Sequence, residues 1–419
     1  MRFAFLIVFV FLAACSASGD FNHKQVSTMI LAHDTNTNLA FTCKHEIIPA
    51  SSIEAEVLFQ HARWLQKNNQ LKRDPDVNLE IEPLYRISAE HDHFKANINL
   101  QNGAMRGHFK LRGREHLRLS ERLIGANIAT GYLFIAYFLE QGSAGLQQDS
   151  GMALRYYRKA ADEGNAQAQY YVAEKLAPVD VAPDIAQQMH RCAAEQGHGN
   201  AALALAIYLK GKRQFSDALE ILQMGVLGGD ESAAGGMDKA FRKQSVDSLF
   251  FFGQAEDLER AERYNKIWKV LANYSYAGPS IPEINEILPL PPAKLPPWDG
   301  KLQWLEARLA NIPPEKPSEA LIHKLAKEKV LDPATGKPMP GSPALSKANF
   351  PIMVCASGQP CPESGYWKVM INSWEDHIQH FKEGEVMPTY LMVWTEYRPW
   401  PLRDKTMQRH ERVEWGLLG

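Results

Sequence analysis

The sequence has no glycine-rich phosphate loop, no G-x-S-x-G elbow, no S-x-x-K pair and no H-E-x-x-H helix. Each of those chemistries needs its nucleophile, base or metal ligands at a fixed local spacing, so nucleotide hydrolysis, the common serine hydrolases and zinc peptidases all lack support. Excess charge of one sign is missing too. The 46 Lys and Arg against 48 Asp and Glu leave a formal net charge of -2, so no whole-chain field points to nucleic acid or to an anionic surface. The apolar run at residues 3–14 is too short to span a bilayer. What remains is an ordinary globular composition, 45% apolar and 22% charged, on a chain long enough for two or three domains.

The first twenty residues, MRFAFLIVFVFLAACSASGD, place a basic residue, an apolar run and small residues before Cys15 in that order. This layout is that of a signal peptide. Leu12-Ala13-Ala14-Cys15 resembles the bacterial lipobox, which implies cleavage before Cys15 and a lipid on its sulfur. Ser16, in place of aspartate, implies the outer membrane within that resemblance. An oxidising periplasm permits disulfides. Cys355 and Cys361 in CASGQPC are expected to pair across a tight turn. Cys192, among helix-interior alanines, is expected as a buried free thiol, and Cys43 is left open.

A repeat runs through the middle of the chain. Ala153, Gly164 and Ala168 are spaced 11 and 4 apart, as are Ala186, Gly197 and Ala201, and Ala218, Gly229 and Ala233. Gly125 with Ala129, and Asp92 with Ala96, keep the second half of that frame, and Leu84-Tyr85-Arg86 matches Tyr156-Tyr157-Arg158. The turn positions 92, 125, 164, 197 and 229 give steps of 33, 39, 33 and 32. A helical repeat of that length predicts a helix-turn-helix solenoid. Alanine lets antiparallel helices approach, and glycine ends the first helix in a left-handed turn, with aspartate tolerated there. The pattern resembles the SEL-one-like repeats, cousins of the tetratricopeptide repeats, through Tyr157, Arg158, Lys159, Ala160, Ala161, Gly164, Ala166 and Ala168, with Tyr137, Gly142, Gly145 and Asp149 matching the preceding repeat's tail. Ser51 with Glu54 is read as a capping box for a first helix.

From Pro279 the composition shifts. PEINEILPLPPAKLPPWDG is proline-dense and cannot be regular helix. Its LPLPPAKLPPWDG, like LYRISAEHDHFKANINLQN, resembles a stretch shared by bacterial repeat lipoproteins of unassigned function. Short helices are expected at 302–310 and at 318–331, the second capped by Ser318. The last 70 or so residues hold short β-type runs broken by Gly and Pro. SGQPCPESGYW with FKEGEVMP resembles, through Cys361-Pro362, Gly365-Tyr366-Trp367, Gly384 and Met387-Pro388, a small domain of proteins encoded with type VI secretion effectors, several of them immunity proteins. The organisation read is a signal peptide (1–14), a tether and N-terminal segment (15–50), an α-solenoid (51–278), a Pro-rich linker with short helices (279–348) and a small β-rich domain (349–419). The fold class is mostly α.

Three clusters stand against chemistry-bearing readings. His108, Lys110 and Glu115 approach a phospholipase D frame, but with Glu for Asp and in one copy, so a basic helix face is expected. His91 and His93 flank a turn with no third ligand near in sequence, so no metal is expected. Glu256, Glu259, Arg260, Glu262 and Arg263 are expected on a solvated helix face. Of the tryptophans crowding the last third, Trp367 and Trp394 are expected in the β core, and Trp298, Trp304 and Trp400 are candidates for partner contact.

The expectation is a non-enzymatic, cofactor-free lipoprotein, anchored in the outer membrane and facing the periplasm, that binds protein and neither nucleic acid nor a small-molecule substrate. The resemblances imply an immunity protein that occludes the active site of a type VI secretion lipase, notably of the phospholipase D type. The alternative is an envelope scaffold that assembles cell-wall or secretion components.

Overall fold

A computed structural model of the chain describes residues 39–345 except 112, 147, 179 and 180, and residues 354–362, 365–369, 378–396 and 405–417. Residues 39–50 form a strap without regular secondary structure. Helix α1 (Ile53–Asn69) follows, then five pairs: α2 (Pro75–Glu90) with α3 (Phe94–Met105), α4 (Gly113–Gly125) with α5 (Thr130–Gln141), α6 (Ser150–Asp162) with α7 (Ala166–Leu176), α8 (Pro183–Glu195) with α9 (Gly199–Gly211), and α10 (Phe215–Leu227) with α11 (Glu231–Ala240). Helix α12 (Leu258–Tyr274) packs on α11. This is the expected solenoid. Among the described residues no helix is long and apolar enough to cross a membrane.

The pairs share one turn. Asp92, Asn127, Gly164, Gly197 and Gly229 have φ of 57°, 58°, 108°, 85° and 88°. After each, the next residue returns its N–H to a carbonyl five residues back: His93 to Ser88, Ile128 to Leu123, Asn165 to Ala160, His198 to Ala193 and Asp230 to Gly225. That is the bond pattern of a Schellman helix end. In four turns the same residue then caps the next helix, accepting from an alanine N–H: His93 Nδ1 from Ala96 (3.1 Å), Asn165 Oδ1 from Ala168 (2.9 Å), His198 Nδ1 from Ala201 (3.2 Å) and Asp230 Oδ1 from Ala233 (2.7 Å). Ala96, Ala129, Ala168, Ala201 and Ala233 are all fully buried.

The second turn corrects the sequence frame. Gly125 closes α4, and the left-handed residue is Asn127, two positions on. The position four after it is Gly131, where a Cβ would lie 2.6 Å from the Ser120 carbonyl oxygen. Asparagine tolerates the left-handed region through its short polar side chain, so this turn needs no glycine. Ser52, not Ser51, caps α1 by accepting from the Ala55 N–H, while Ser51 bonds Glu56.

The proline-dense stretch is held against the helices, with Ile284 and Leu288 in the core and residues 291–294 exposed. One turn of helix, α13 (Ile284–Ile287), forms within it, against the expectation of no regular helix; α14 (Gln303–Ala310) and α15 (Glu319–Glu328) follow it, the last capped by Ser318 as expected. Of the run expected on a solvated face, Glu256, Glu259 and Glu262 are exposed, but Arg260 and Arg263 turn inward and form the clamp that holds this stretch. Arg260 is buried, pairs with Asp257, and donates Nη1 to the Pro289 carbonyl and Nη2 to the Ala293 carbonyl; Arg263 donates to the Ile287 carbonyl. Proline has no N–H to offer a ladder, so its segment is held through its carbonyls, and a guanidinium with five donors suits that task.

Leu302 lies in the core cluster with Tyr264 and Leu288, while at the far end of α14 Arg308 donates to the Lys67 carbonyl and Asn68 to Asn311. A helix of 8 residues is about 12 Å long, so α14 bridges the two ends of the helical array. Leu325, Ala326 and Leu331 then complete the first core, with Leu58, Phe59 and Ile81.

The C-terminal region is an antiparallel sheet in the order β1 (Val354–Ala356), β6 (Glu414–Leu417), β2 (Gly365–Val369), β3 (Ile378–Phe381), plus a separate ribbon of β4 (Tyr390–Glu396) and β5 (Lys405–Glu411). Trp367 and Trp415 are fully buried, and Phe381 meets Trp415 edge-on at 5.0 Å. Cys355 and Cys361 are not joined, contrary to expectation. The turn between them is already fixed by backbone bonds from Gln359 to Ala356, Gly358 to Met387 and Cys361 to Glu385. Both thiols pack in the core with Trp367 and Met387, as small apolar groups do.

Replacing Arg260 by Met removes the donor to two carbonyls and to Asp257 Oδ2. Urea unfolding is expected to show a loss of about 2–4 kcal/mol; a loss under about 0.5 kcal/mol would mean that the proline-dense stretch is held by its apolar contacts.

Candidate functional site

Two features stand out from the repeat scaffold: the strap, and the β4–β5 ribbon. The strap crosses the turn edges of three helix pairs. The Glu46 carboxylate accepts from the Thr130 N–H at 2.6 Å and its hydroxyl at 2.8 Å, at the N-terminus of α5 where an anion is favoured. The Glu46 N–H donates to the Gly164 carbonyl (3.1 Å) and lies 3.2 Å from Gln196 Oε1. Gln169 Nε2 and Arg158 Nη2 donate to the carbonyls of Lys44 (2.9 Å) and Ala40 (3.0 Å), and Phe41 is buried in the central core.

Gly164 is doubly constrained. Its φ is 108°, and a Cβ there would lie 2.8 Å from both Glu46 N and His45 C. Gly229 serves a second passing segment in the same way, with the Pro279 carbonyl oxygen at 1.9 Å from a would-be Cβ and Ile281 N–H bonded to the Leu227 carbonyl. The turns thus hold chain that follows none of the repeat rules.

A disulfide ties the strap down. Cys43 and Cys192 are joined, 149 residues apart in sequence, which corrects the expected free thiol at Cys192. In the loop-closure picture a crosslink over so long a loop removes roughly 5 kcal/mol of denatured-chain freedom. Nothing local could have signalled the pair, because its spacing is set by how three helix pairs stack.

The ribbon is the most exposed apolar element of the C-terminal region. Leu391, Val393 and Trp394 are 40%, 56% and 45% exposed. Trp394 pairs with Met407, and Val393 with Gln408 on the opposite face. Trp394 therefore is not core, contrary to expectation. Alternation along β4 put it among apolar neighbours, but only two strands pair here and no second layer covers it among the described residues. Trp367 does lie in the core.

The other candidates are structural. Trp298 is half-buried, between Arg263 and Lys266 at 5.9 and 5.4 Å from its ring, with Nε1 donating to the Lys301 carbonyl. Trp304 packs edge-on against Tyr274. Cys15 and Trp400 lie outside the described residues. His93 caps α3 and bonds Glu56 at 2.8 Å, and His91 bonds the Leu325 carbonyl, so the two do not converge. Glu115 pairs with Arg86.

A family described as "Domain of unknown function (DUF6396)" matches residues 233–339, the part that contains the Arg260 clamp and the packed proline-dense stretch. Two solved structures of Pseudomonas aeruginosa immunity proteins are similar to this chain. PA5088 is 25% identical, covering 61% of this chain and 95% of that one, with TM-score 0.47; Pa5087 is 22% identical over 60% and 95%, also at 0.47. A Sel1 repeat protein from Oxalobacter formigenes is 21% identical over 51% and 86%, with TM-score 0.34. None of the curated proteins matches. Immunity proteins and a Sel1 repeat protein are thus among the structures to which the chain is similar.

One buried acid, Glu121, lies on α4. Burial pushes the Glu121 carboxyl up to about 7, against the opposing pull of Lys368 on β2 and of Arg118. Its Oε2 has no hydrogen-bond partner among the described residues. An acid whose folded pKa lies above its unfolded value keeps a proton that the unfolded chain has lost, so its contribution falls as pH rises from about 4.5 to about 7. Glu121→Gln is expected to melt near the wild-type temperature at pH 5 and several degrees above it at pH 7.5; equal shifts at both pH values would rule this out.

Proposed function

We propose that this chain is a lipid-anchored protein of the periplasmic face that binds another protein, and that it acts as an immunity protein by covering the active site of a secreted lipase. The observation that carries the protein-binding part is the ribbon with Leu391, Val393 and Trp394 exposed. A two-stranded ribbon is marginal in water by itself, and an exposed tryptophan is a common anchor of protein interfaces. The immunity part is supported by the C-terminal motif around Cys361-Pro362 and Gly365-Tyr366-Trp367, and by the repeats. Cys15 in its lipobox setting supports anchoring at the membrane that a lipase would attack. Occlusion is a stoichiometric mechanism. It asks for a large complementary surface and for no catalytic group.

The test is capture of a lipase encoded beside this gene, followed by its activity in the complex. One-to-one capture with loss of lipase activity is expected. Trp394→Ala is expected to weaken the complex at least about tenfold, some 1.4 kcal/mol, with the circular dichroism spectrum unchanged. Capture of several cell-wall or secretion proteins with no lipase would replace the immunity reading by that of an envelope scaffold. Separately, Cys15→Ser is expected to move the chain from the membrane fraction to the soluble one; retention at the membrane would remove the anchor from the proposal.

A further inference from the structure

The disulfide that fastens the strap has two further metal-ligating side chains beside it. Cys43 Sγ, a ring nitrogen of His45 and Cys192 Sγ all lie within 4.8 Å of one another. Glu195 Oε2 is 3.5 Å from His45 Nε2 and 3.9 Å from Cys43 Sγ. Zinc bonds of about 2.0–2.3 Å in a tetrahedron set neighbouring ligand atoms about 3.3–3.8 Å apart, so Glu195 already sits at about that distance from two of the others.

The four groups come as two short pairs. Cys43 and His45, two apart, project from one stretch of strap. Cys192 and Glu195, three apart, share one face in the last turn of α8. A helix C-terminus favours a cation. Two thiolates, an imidazole and a carboxylate form a donor set that suits zinc.

We propose that Cys43, His45, Cys192 and Glu195 form a zinc site that becomes available when the Cys43–Cys192 disulfide is reduced. The disulfide and the metal are alternatives, each joining the strap to α8. A dithiol supplies two electrons and two protons and closes into its own disulfide, leaving Cys43 and Cys192 as thiols. Zinc then takes both sulfurs as thiolates, and the two thiol protons pass to water. The sulfurs must part from bonding distance to roughly 3.8 Å, a shift confined to the strap side, which has no regular secondary structure. The site would hold the strap over Gly164 and Thr130 before oxidation, or wherever oxidation fails.

The test uses the whole chain with C15S, C355S and C361S, so that the strap pair supplies every thiol. It is reduced with excess dithiothreitol, desalted without oxygen, and titrated with zinc sulfate against a chromophoric chelator. One zinc per chain is expected, bound on the order of a hundredfold more tightly than by the oxidised chain. His45→Ala and Glu195→Gln are each expected to weaken binding at least about tenfold. Cobalt(II) in place of zinc is expected to give the absorption of a tetrahedral thiolate complex. Should the serine background not fold, the otherwise intact chain with C43S/C192S answers the same question: loss of the zinc supports the site and retention overturns it. Equal affinity in the reduced and oxidised chains, or unchanged affinity in both His45→Ala and Glu195→Gln, would also overturn it.

Discussion

Helix pairs in this chain approach closely because the residue four after each left-handed turn is alanine or glycine. Ala96, Ala168, Ala201 and Ala233 are fully buried, and at Gly131 even a methyl group would strike the Ser120 carbonyl. The turn that precedes each of them ends one helix and, in four pairs, caps the next with a single side chain. Pair spacing, stacking and the line of turns along one edge all follow from that arrangement.

That edge is where the non-repeating parts of the chain attach. Turns expose carbonyls and leave little side-chain bulk, so passing segments can lie close and bond to backbone. The strap does so at Gly164 and Thr130, and residues 279–281 do so at Gly229 and Leu227. The proline-dense stretch, which has no N–H at its prolines, is met at its carbonyls by Arg260 and Arg263. Helix α14 then joins the last core to the end of α1. An open array would leave its end faces exposed, and this return path covers apolar surface at both ends.

The C-terminal sheet follows a different logic. Trp367 and Trp415 fill its centre, so its strands need no disulfide to define a core. The β4–β5 ribbon is left with apolar side chains in water. It is the element whose own folding benefits most from a partner, and the proposed immunity function draws on it for that reason.

The repeat was legible in the sequence because its signals are local. A left-handed turn, a cap and a small residue four positions on are dictated by backbone geometry, so alanine and glycine spacing located four of the five turns. The fifth was misplaced because Asn127 does there what glycine does in three turns and Asp92 in another. The buried role of Trp367 was legible too, from its place in a short β-type run. What the sequence could not determine depends on which distant residues meet. The Cys43–Cys192 bond, the strap over Gly164, the burial of Arg260 and the exposure of Trp394 are outcomes of stacking and layer count. A cysteine, an arginine or a tryptophan carries the same local propensity in either setting. Only the tertiary structure decides whether another part of the chain comes to cover it.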